Sequence, residues 1–421
     1  MNILVIGSGG REHAIVRKLK ESPRTGKLWC APGNGGIAAD AECVNIGAMD
    51  IDGVVKFAQE NPVDLVFVAP DDPLAAGMVD ALERAGIRAF GPRANAAVIE
   101  SSKVFSKNLM KQYGIPTAQY AVFSDPAAAV AYIEAENKFP VVVKADGLAL
   151  GKGVIIAADL DAAKDAVHSI MEDKVFGASG NSVVIEEFLT GPEVSVLAFT
   201  DGKTLRPMVS SKDHKRALDG DKGLNTGGMG TISPNPYYTD EIAAQCMKEI
   251  FLPTIRAMQA EGRPFKGCLY FGLMLTPDGP KVIEYNARFG DPETQVVLPR
   301  LKTDFVDILD AVIDEKLDTL DIEWSEDACA CVVMASGGYP QSYPKGIEIT
   351  GLDENGQVEG VTVYHAGTKR DGDKLVTNGG RVLGVTATAE TLEKALEKAY
   401  AGVQKIHFDG AHYRRDIGRT K

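Results

Sequence analysis

At 421 residues the chain is too long for one ordinary hydrophobic core and is expected to hold three or four domains or subdomains. Hydrophobic and charged contents of 45% and 24% are those of a globular protein, and a formal net charge of −13 argues against nonspecific nucleic-acid binding and against an anionic membrane surface. The six cysteines form no Cys-x-x-Cys pair, no run is long enough to cross a membrane, and no basic segment precedes the first apolar run, so a reduced cytoplasmic protein without a signal peptide is expected. Local clusters of positive charge, His214-Lys215-Arg216 and Arg414-Arg415, keep small anionic ligands open.

The first hundred residues alternate strand signals (2–6, 27–31, 64–69 and 88–90) with helix signals (12–20, 53–59 and 75–85), which predicts a parallel sheet with helices on its faces. The turn Gly7-Ser8-Gly9-Gly10-Arg11-Glu12-His13 resembles a dinucleotide fingerprint but has Glu12 where the third glycine belongs, and no acid ends the second strand. A glycine turn at a helix N-terminus still offers backbone N–H groups to a phosphate. A phosphate-bearing substrate is therefore expected at Gly9 and Gly10, with Asn34, Gly35 and Gly36 on the neighbouring loop. Asp71-Asp72 follows the third strand at the same sheet edge; a helix N-cap is the equal alternative for Asp72.

A helix from Ser101 to about Tyr113 opens a central region of 101–325. Within it a flap subdomain of about 119–190 holds strand 119–123, helix 125–136, strand 139–144 and strand 182–189. Between strands, Gly151-Lys152-Gly153 followed by Val154 is a glycine-rich flap rather than a P-loop, because no Ser or Thr follows the lysine to open a helix. Lys144 and Lys152 are candidates to reach phosphate oxygens. Residues 212–230 combine charge and glycine (Asp213, Lys215, Asn225, Thr226, Gly227) and read as a long binding loop without regular structure. Helices follow at about 240–261 and after Asp304.

The stretch 267–295 reads as a β-hairpin closed by an Asp278-Gly279 turn. Glu284 and Asn286 share one face of its second strand, with Cα atoms roughly 6.6 Å apart, a spacing at which two hard oxygen ligands can bridge one Mg²⁺. A solvated edge strand is the alternative. From 326 onward, apolar strands including Cys329 and Cys331 on one face, then a helix at 392–406, predict a small α+β domain.

With these stretches in place the chain resembles the phosphoribosylamine–glycine ligase (glycinamide ribonucleotide synthetase) family of the ATP-grasp superfamily. The resemblance rests on VIGSGGREHA (5–14), GPRANAAVIESSKVFSKNLMKQYGIPTA (91–118), VVKADGLALGKGV (142–154), DHKRALDGDKGLNTGGMG (213–230), KVIEYNARFGDPETQ (281–295), VVMASGGYP (332–340) and TNGGRVLGVTA (377–387). The GKGV flap is shared widely by ATP-grasp enzymes, whereas the 213–230 loop with RFGDPE is specific to this ligase. The resemblance implies an N-terminal parallel α/β domain (1–100), a central ATP-grasp domain (101–325) and a C-terminal α+β domain (326–421). It implies ATP-dependent ligation of glycine to 5-phosphoribosylamine through glycyl phosphate, the second step of de novo purine synthesis, in a monomer or weak homodimer.

Carried over by position, Lys103, Lys144, Glu186, Glu187, Phe188, Leu189 and Glu193 become ATP contacts, with Gly151, Lys152, Gly153 and Val154 as the flap. Asp213, Lys215 and Arg288 become catalytic groups at the glycine and phosphoribosylamine site. Gly9, Gly10, Asn34, Gly35, Asp71, Asn225, Thr226 and Gly227 become substrate contacts, and Glu284 and Asn286 hold Mg²⁺ or Mn²⁺. The chain departs from the family where GPE is common and it has Ala69-Pro70-Asp71, and where GPNTGG is common and it has Gly223-Leu224-Asn225. A carboxyaminoimidazole ribonucleotide synthetase shares the flap and metal strand but not the 213–230 motif. A non-catalytic nucleotide-binding protein on the same fold would be expected to lose the metal pair.

Overall fold

The computed structural model describes residues 1–149 and 152–419. The expected alternation of the first hundred residues is present as a five-stranded sheet, all parallel: β1 (Ile3–Gly7), β2 (Leu28–Pro32), β3 (Glu42–Cys43), β4 (Leu65–Val68) and β5 (Arg88–Phe90), in the order β3-β2-β1-β4-β5. Its helices are α1 (Gly10–Lys20), α2 (Ile51–Glu60), α3 (Asp71–Ala75) and α4 (Met78–Arg84). The helix expected over 75–85 is α4, and a short α3 not expected from the sequence precedes it, the two separated at Gly77, whose φ of +91° belongs to neither helix.

Helix α5 (Ala94–Ser101) was not legible from the sequence. Its alanine-rich run carries almost no amphipathic stripe, and it ends where Ser102 turns extended and caps α6 (Lys103–Tyr113) by accepting from the Phe105 N–H at 3.1 Å. Gly114, left-handed at φ +67°, stops α6. Next come β6 (Tyr120–Phe123), α7 (Pro126–Glu136), β7 (Val141–Ala145), β8 (Val154–Ala157), α8 (Leu160–Val167) and β9 (Val183–Glu187). The four strands make a sheet in the order β6-β9-β7-β8.

A second sheet carries the hairpin expected at 267–295. It comprises β10 (Glu193–Asp201), β11 (Leu205–Pro207), β16 (Lys266–Thr276) and β17 (Gly279–Asn286), in the order β11-β10-β16-β17. Both faces of its centre are covered. On one, Phe271, Leu273, Val282 and Tyr285 meet Phe251, Ile255 and Met258 of the helical run formed by α9 (Asp240–Cys246), a π-helical turn and α10 (Leu252–Ala260). On the other, Phe199, Cys268 and Tyr270 meet Phe289 and Phe305, the latter opening α12 (Phe305–Ile313), as expected for a helix beneath the hairpin. A short α11 (Thr294–Val297) lies between.

The 212–230 stretch corrects the expectation of an irregular loop. Strands β13 (Arg216–Leu218) and β14 (Lys222–Asn225) pair as a hairpin, while β12 (Lys212–Asp213) and β15 (Gly230–Ser233) join the C-terminal sheet beside β18 (Ala328–Ala335). That sheet runs β12-β15-β18-β22-β19, with β19 (Thr362–His365) and β22 (Arg381–Ala389); β20 (Thr368–Asp371) and β21 (Lys374–Thr377) form a separate hairpin, and α13 (Leu392–Val403) packs on β18 and β22. Cys329 and Cys331 face one core and Ala330 and Val332 the other, the period of two expected for a buried strand. Among the described residues no helix is long and apolar enough to cross a membrane.

Candidate functional site

The hairpin strand β17 runs against β16 with Tyr270, Phe271 and Gly272 opposite Asn286, Tyr285 and Glu284, but Leu273 opposite Val282. Ile283 is therefore the extra residue of a β-bulge, which lets Val282 and Tyr285 both enter the core while Glu284 and Asn286 stay together on the other face. A Cβ at Gly272 would lie 3.0 Å from Glu284 Cγ, so the glycine makes room for the carboxylate. Burial pushes the Glu284 carboxyl up, and Lys215, Lys144 and Lys103 outweigh it, holding the group below the usual range. Assigned from its partners, the Asn286 amide nitrogen donates to Glu100 Oε1 and to the Tyr285 carbonyl, both at 3.1 Å.

Three lysines line the neighbouring side. Lys103 and Lys107 stand one turn apart on α6, and Lys144 ends β7. Glu186, 4% exposed, lies between Lys107 at 3.1 Å and Lys144 at 3.0 Å. Lys107 also donates to Thr117 Oγ1 at 2.7 Å, Lys144 to the Ile283 carbonyl at 3.2 Å, and Lys103 to the Gly147 carbonyl at 2.8 Å. Burial draws Lys103 down and draws Lys107 to about 8, with Glu186 pulling Lys107 back. Glu187 accepts from the Gln119 N–H at 3.0 Å, and Phe188 is 39% exposed where the strand becomes a hinge. At the flap, Lys152 is exposed, its N–H donates to the Ala149 carbonyl at 2.9 Å, and Val154 pairs with Lys144. A Cβ at Gly153 would lie 2.6 Å from the Ala149 Cβ, so only glycine fits that turn; Gly151 lies outside the described residues.

Beyond Glu284 the charges belong to other segments. Lys215 Nζ is 3.7 Å from Glu193 and 3.8 Å from Glu284, which together raise its pKa. With Asp213, Ser195, Tyr270 and Gly272 these groups line one recess. Burial pushes Asp213 well above the usual carboxylate range and Glu293 adds to it, with Lys215 and Arg381 only partly offsetting; burial raises Glu293 as well. Arg288 lies 2.9 Å from Glu100 and 3.9 Å from Asp71. Burial opposes its charge, but Glu100, Asp71 and Glu293 hold its pKa above the ordinary value. Its Nε is buried and has no hydrogen-bond partner among the described residues.

The N-terminal turn is more occupied than the sequence suggests. The Gly9 N–H donates to Glu12 Oε2 at 2.7 Å, and the Arg11 N–H to Asp291 Oδ2 at 3.2 Å. The Arg11 side chain binds Glu12 and the Phe289 carbonyl. Asn34 donates to the Ser8 and His365 carbonyls and accepts from Gly36 and Ile37; Gly35 donates to the Thr368 carbonyl. These residues tie the first domain to the last, and what they can offer a ligand is backbone. Thr226 donates through N and Oγ1 to the Lys215 carbonyl and thereby fixes the turn bearing that lysine, while the Gly227 N–H meets the Tyr339 hydroxyl at 3.0 Å. Asn225 ends β14, exposed.

Four groups in the site were not singled out by the sequence: Glu100, Lys107, Glu293 and Arg381. The last enters from the C-terminal domain, its NH1 donating to the Gly227 and Asp291 carbonyls at 2.8 and 2.9 Å. Lys107 had a signal, four residues after Lys103 on one helix face; Glu100, 186 residues before Asn286, had none. Among the described residues no three His, Cys, Asp or Glu side chains gather as a metal cage. The donors fit instead a cation held by one carboxylate and one amide oxygen, with phosphate and water supplying the rest, the habit of Mg²⁺.

Comparison with known proteins bears on the whole chain. Residues 1–100, 101–294 and 329–420 match the N domain, the ATP-grasp (A) domain and the C domain of phosphoribosylglycinamide synthetase. The phosphoribosylamine–glycine ligase of Halalkalibacterium halodurans is 52% identical, over 99% of this chain and 96% of its own length. The trifunctional purine biosynthetic protein adenosine-3 of Gallus gallus is 50% identical, over 99% of this chain and 42% of that longer protein. The crystal structure of phosphoribosylamine–glycine ligase from Thermotoga maritima has a TM-score of 0.88 at 34% identity, covering 99% of this chain and 100% of that one. A biotin carboxylase domain from Hydrogenobacter thermophilus, solved with MgADP, has a TM-score of 0.73 at 14% identity and shares the fold alone. The chain belongs to the phosphoribosylamine–glycine ligase family.

Proposed function

We propose that this chain joins glycine to 5-phospho-β-D-ribosylamine with hydrolysis of ATP to ADP and phosphate, giving glycinamide ribonucleotide for purine synthesis. The observation that carries the reading is the convergence of Lys215, Arg288, Lys103 and Lys144 on the hairpin face that bears Glu284 and Asn286. The glycine carboxylate attacks the γ-phosphorus and ADP leaves, giving glycyl phosphate. The sugar amine then attacks the acyl carbon, losing a proton as phosphate departs. No covalent enzyme intermediate is needed, so the protein's part is alignment and charge.

Lys103 and Lys144 meet the phosphates, the hinge at Glu187, Phe188 and Leu189 reads the adenine, and Glu193 holds ribose. Glu284 and Asn286 would hold Mg²⁺ or Mn²⁺, and the bound cation would supply neutralisation of phosphate charge. Asp213, raised by burial and by Glu293, and Glu293, raised by burial, are relieved by an ammonium, which supports glycine's amino group there. Arg288, with an unpartnered buried Nε, suits an anionic oxygen of substrate. The six cysteines are free, in keeping with a cytoplasmic enzyme.

The test is ADP release by purified protein with glycine and phosphoribosylamine omitted in turn. Release that needs both is expected; release that persists without either one would assign another acceptor.

A further inference from the structure

Glu100 closes α5 and is buried against the end of β17, its side chain 7% exposed. One carboxylate there receives three consecutive residues. Its Oε2 accepts from the Ala287 N–H at 2.7 Å, and its Oε1 faces the Asn286 amide nitrogen at 3.1 Å and Arg288 NH2 at 2.9 Å. An ionised carboxylate only accepts, so an amide packed against it must present its NH₂ and turn its oxygen away. Without Glu100 only the Tyr285 carbonyl, at 3.1 Å, still selects this rotamer, and an amide turned the other way shows the cation an NH₂ that repels it.

We propose that Glu100 is a positioning residue that sets the rotamer of Asn286, so that the amide oxygen faces the cation beside Glu284, and holds Arg288 in the same unit. The inference rests on the reading of Glu284 and Asn286 as metal ligands. It makes Glu100 the outer partner of a ligand, a kind of group whose loss weakens metal affinity about 10- to 100-fold. It also joins the two halves of the reaction, since the carboxylate that orients the metal strand is the one that grips the substrate-facing arginine.

The test uses full-length protein and Mn²⁺ binding followed by electron paramagnetic resonance in the presence of ADP, with metal-free ADP affinity measured separately. Glu100→Gln can donate as well as accept, so only the Tyr285 carbonyl still favours one rotamer. It should weaken Mn²⁺ binding about tenfold while metal-free ADP affinity stays the same. Adding Asn286→Asp should restore Mn²⁺ binding, because a carboxylate offers oxygen from either rotamer and the amide introduced at position 100 can donate to it. A general packing defect would not be rescued this way. Should Glu100→Gln not fold, Glu100→Asp withdraws the carboxylate by one methylene and should weaken Mn²⁺ binding in the same way, without the rescue, since two carboxylates cannot pair by donation. Unchanged Mn²⁺ affinity in the single variant, or no recovery in the double, overturns the proposal. Glu284→Gln separates the two readings: if it too leaves Mn²⁺ binding intact, the metal assignment itself is wrong.

Discussion

The two sides of the site handle their charges differently. On the nucleotide side, Lys107, Glu186 and Lys144 are buried and paired at 3.1 and 3.0 Å before any ligand arrives. On the proposed acceptor side, Lys215 is 41% exposed and stands 3.7 and 3.8 Å from its nearest carboxylates, while burial raises both Asp213 and Glu293 and Glu293 raises Asp213 further. The first side is preorganised for phosphate by contacts within the fold. The second is left unbalanced, and on the proposed assignment the substrates complete it. An enzyme that must hold a reactive acyl phosphate gains from this division, because the acceptor pocket takes its working charge state only when it is filled.

The sharpest break falls on the group between the two sides. Glu284→Ala should keep the fold yet lower turnover by at least about a hundredfold at saturating Mg²⁺, since metal stabilisation of phosphoryl transfer is worth several kcal/mol. Steady-state turnover beside a thermal melt checks both halves, and more than about a tenth of wild-type turnover would remove Glu284 from the metal site. Glu186→Gln strikes the paired side. It leaves two buried lysines without their carboxylate and should lower stability by about 3–5 kcal/mol, read by urea unfolding, with no comparable loss from Glu193→Gln at the exposed edge.

Asp213→Asn strikes the unbalanced side. Removing one carboxylate relieves its repulsion with Glu293, so stability should hold or rise. The apparent KM for glycine should rise about 10- to 150-fold, the worth of a charge-assisted contact of ~1.5–3 kcal/mol. KM for ATP should hardly move; a rise confined to ATP would take Asp213 out of the amino-acid pocket. The smallest effect is in pH. His214, buried beside Asp213 and Lys215, is drawn down to about 4 chiefly by burial, and its neutral ring meets the Gly230 carbonyl through Nδ1 and accepts from the Gly418 N–H through Nε2. Its folded pKa is below the unfolded 6.5, so its stabilisation is complete above pH 6.5 and is lost as pH falls toward 4. About 1.4 kcal/mol should be gone by pH 5.5. Unfolding free energies at pH 7 and 5.5 should show this difference in the wild type and less of it in His214→Gln.

Local patterns carried the architecture. Strand and helix alternation in the first hundred residues, the caps Ser102 and Gly114 around α6, and the 267–295 hairpin are short-range chemistry; the hairpin turn itself is Pro277-Asp278, one residue earlier than expected, with Gly279 opening β17. What escaped needs distant partners. The bulge at Ile283 is a matter of register with β16. The 216–225 hairpin is held by Asp219 and Asp221 meeting Arg415 and Arg414 almost 200 residues away. Glu100 and Arg381 gain their meaning only when β17 and the C-terminal sheet are assembled. The occupied turn at Gly9 is a subtler case: Glu12 breaks the dinucleotide pattern, and the structure shows it filling the cradle with its own carboxylate.

The strand β15, lent by the central region to the C-terminal sheet, bears on how the chain can be divided. Its partner β18 is buried along its whole length. A fragment beginning near residue 326 would lose that pairing and expose the edge of an apolar strand, the form in which isolated pieces aggregate. Conversely, losing the last ninety residues would strip the support from the loop that carries Asp213 and Lys215. The chain is thus expected to be inherited, transplanted and expressed as one block, and limited proteolysis within its C-terminal sheet should abolish glycine binding along with solubility.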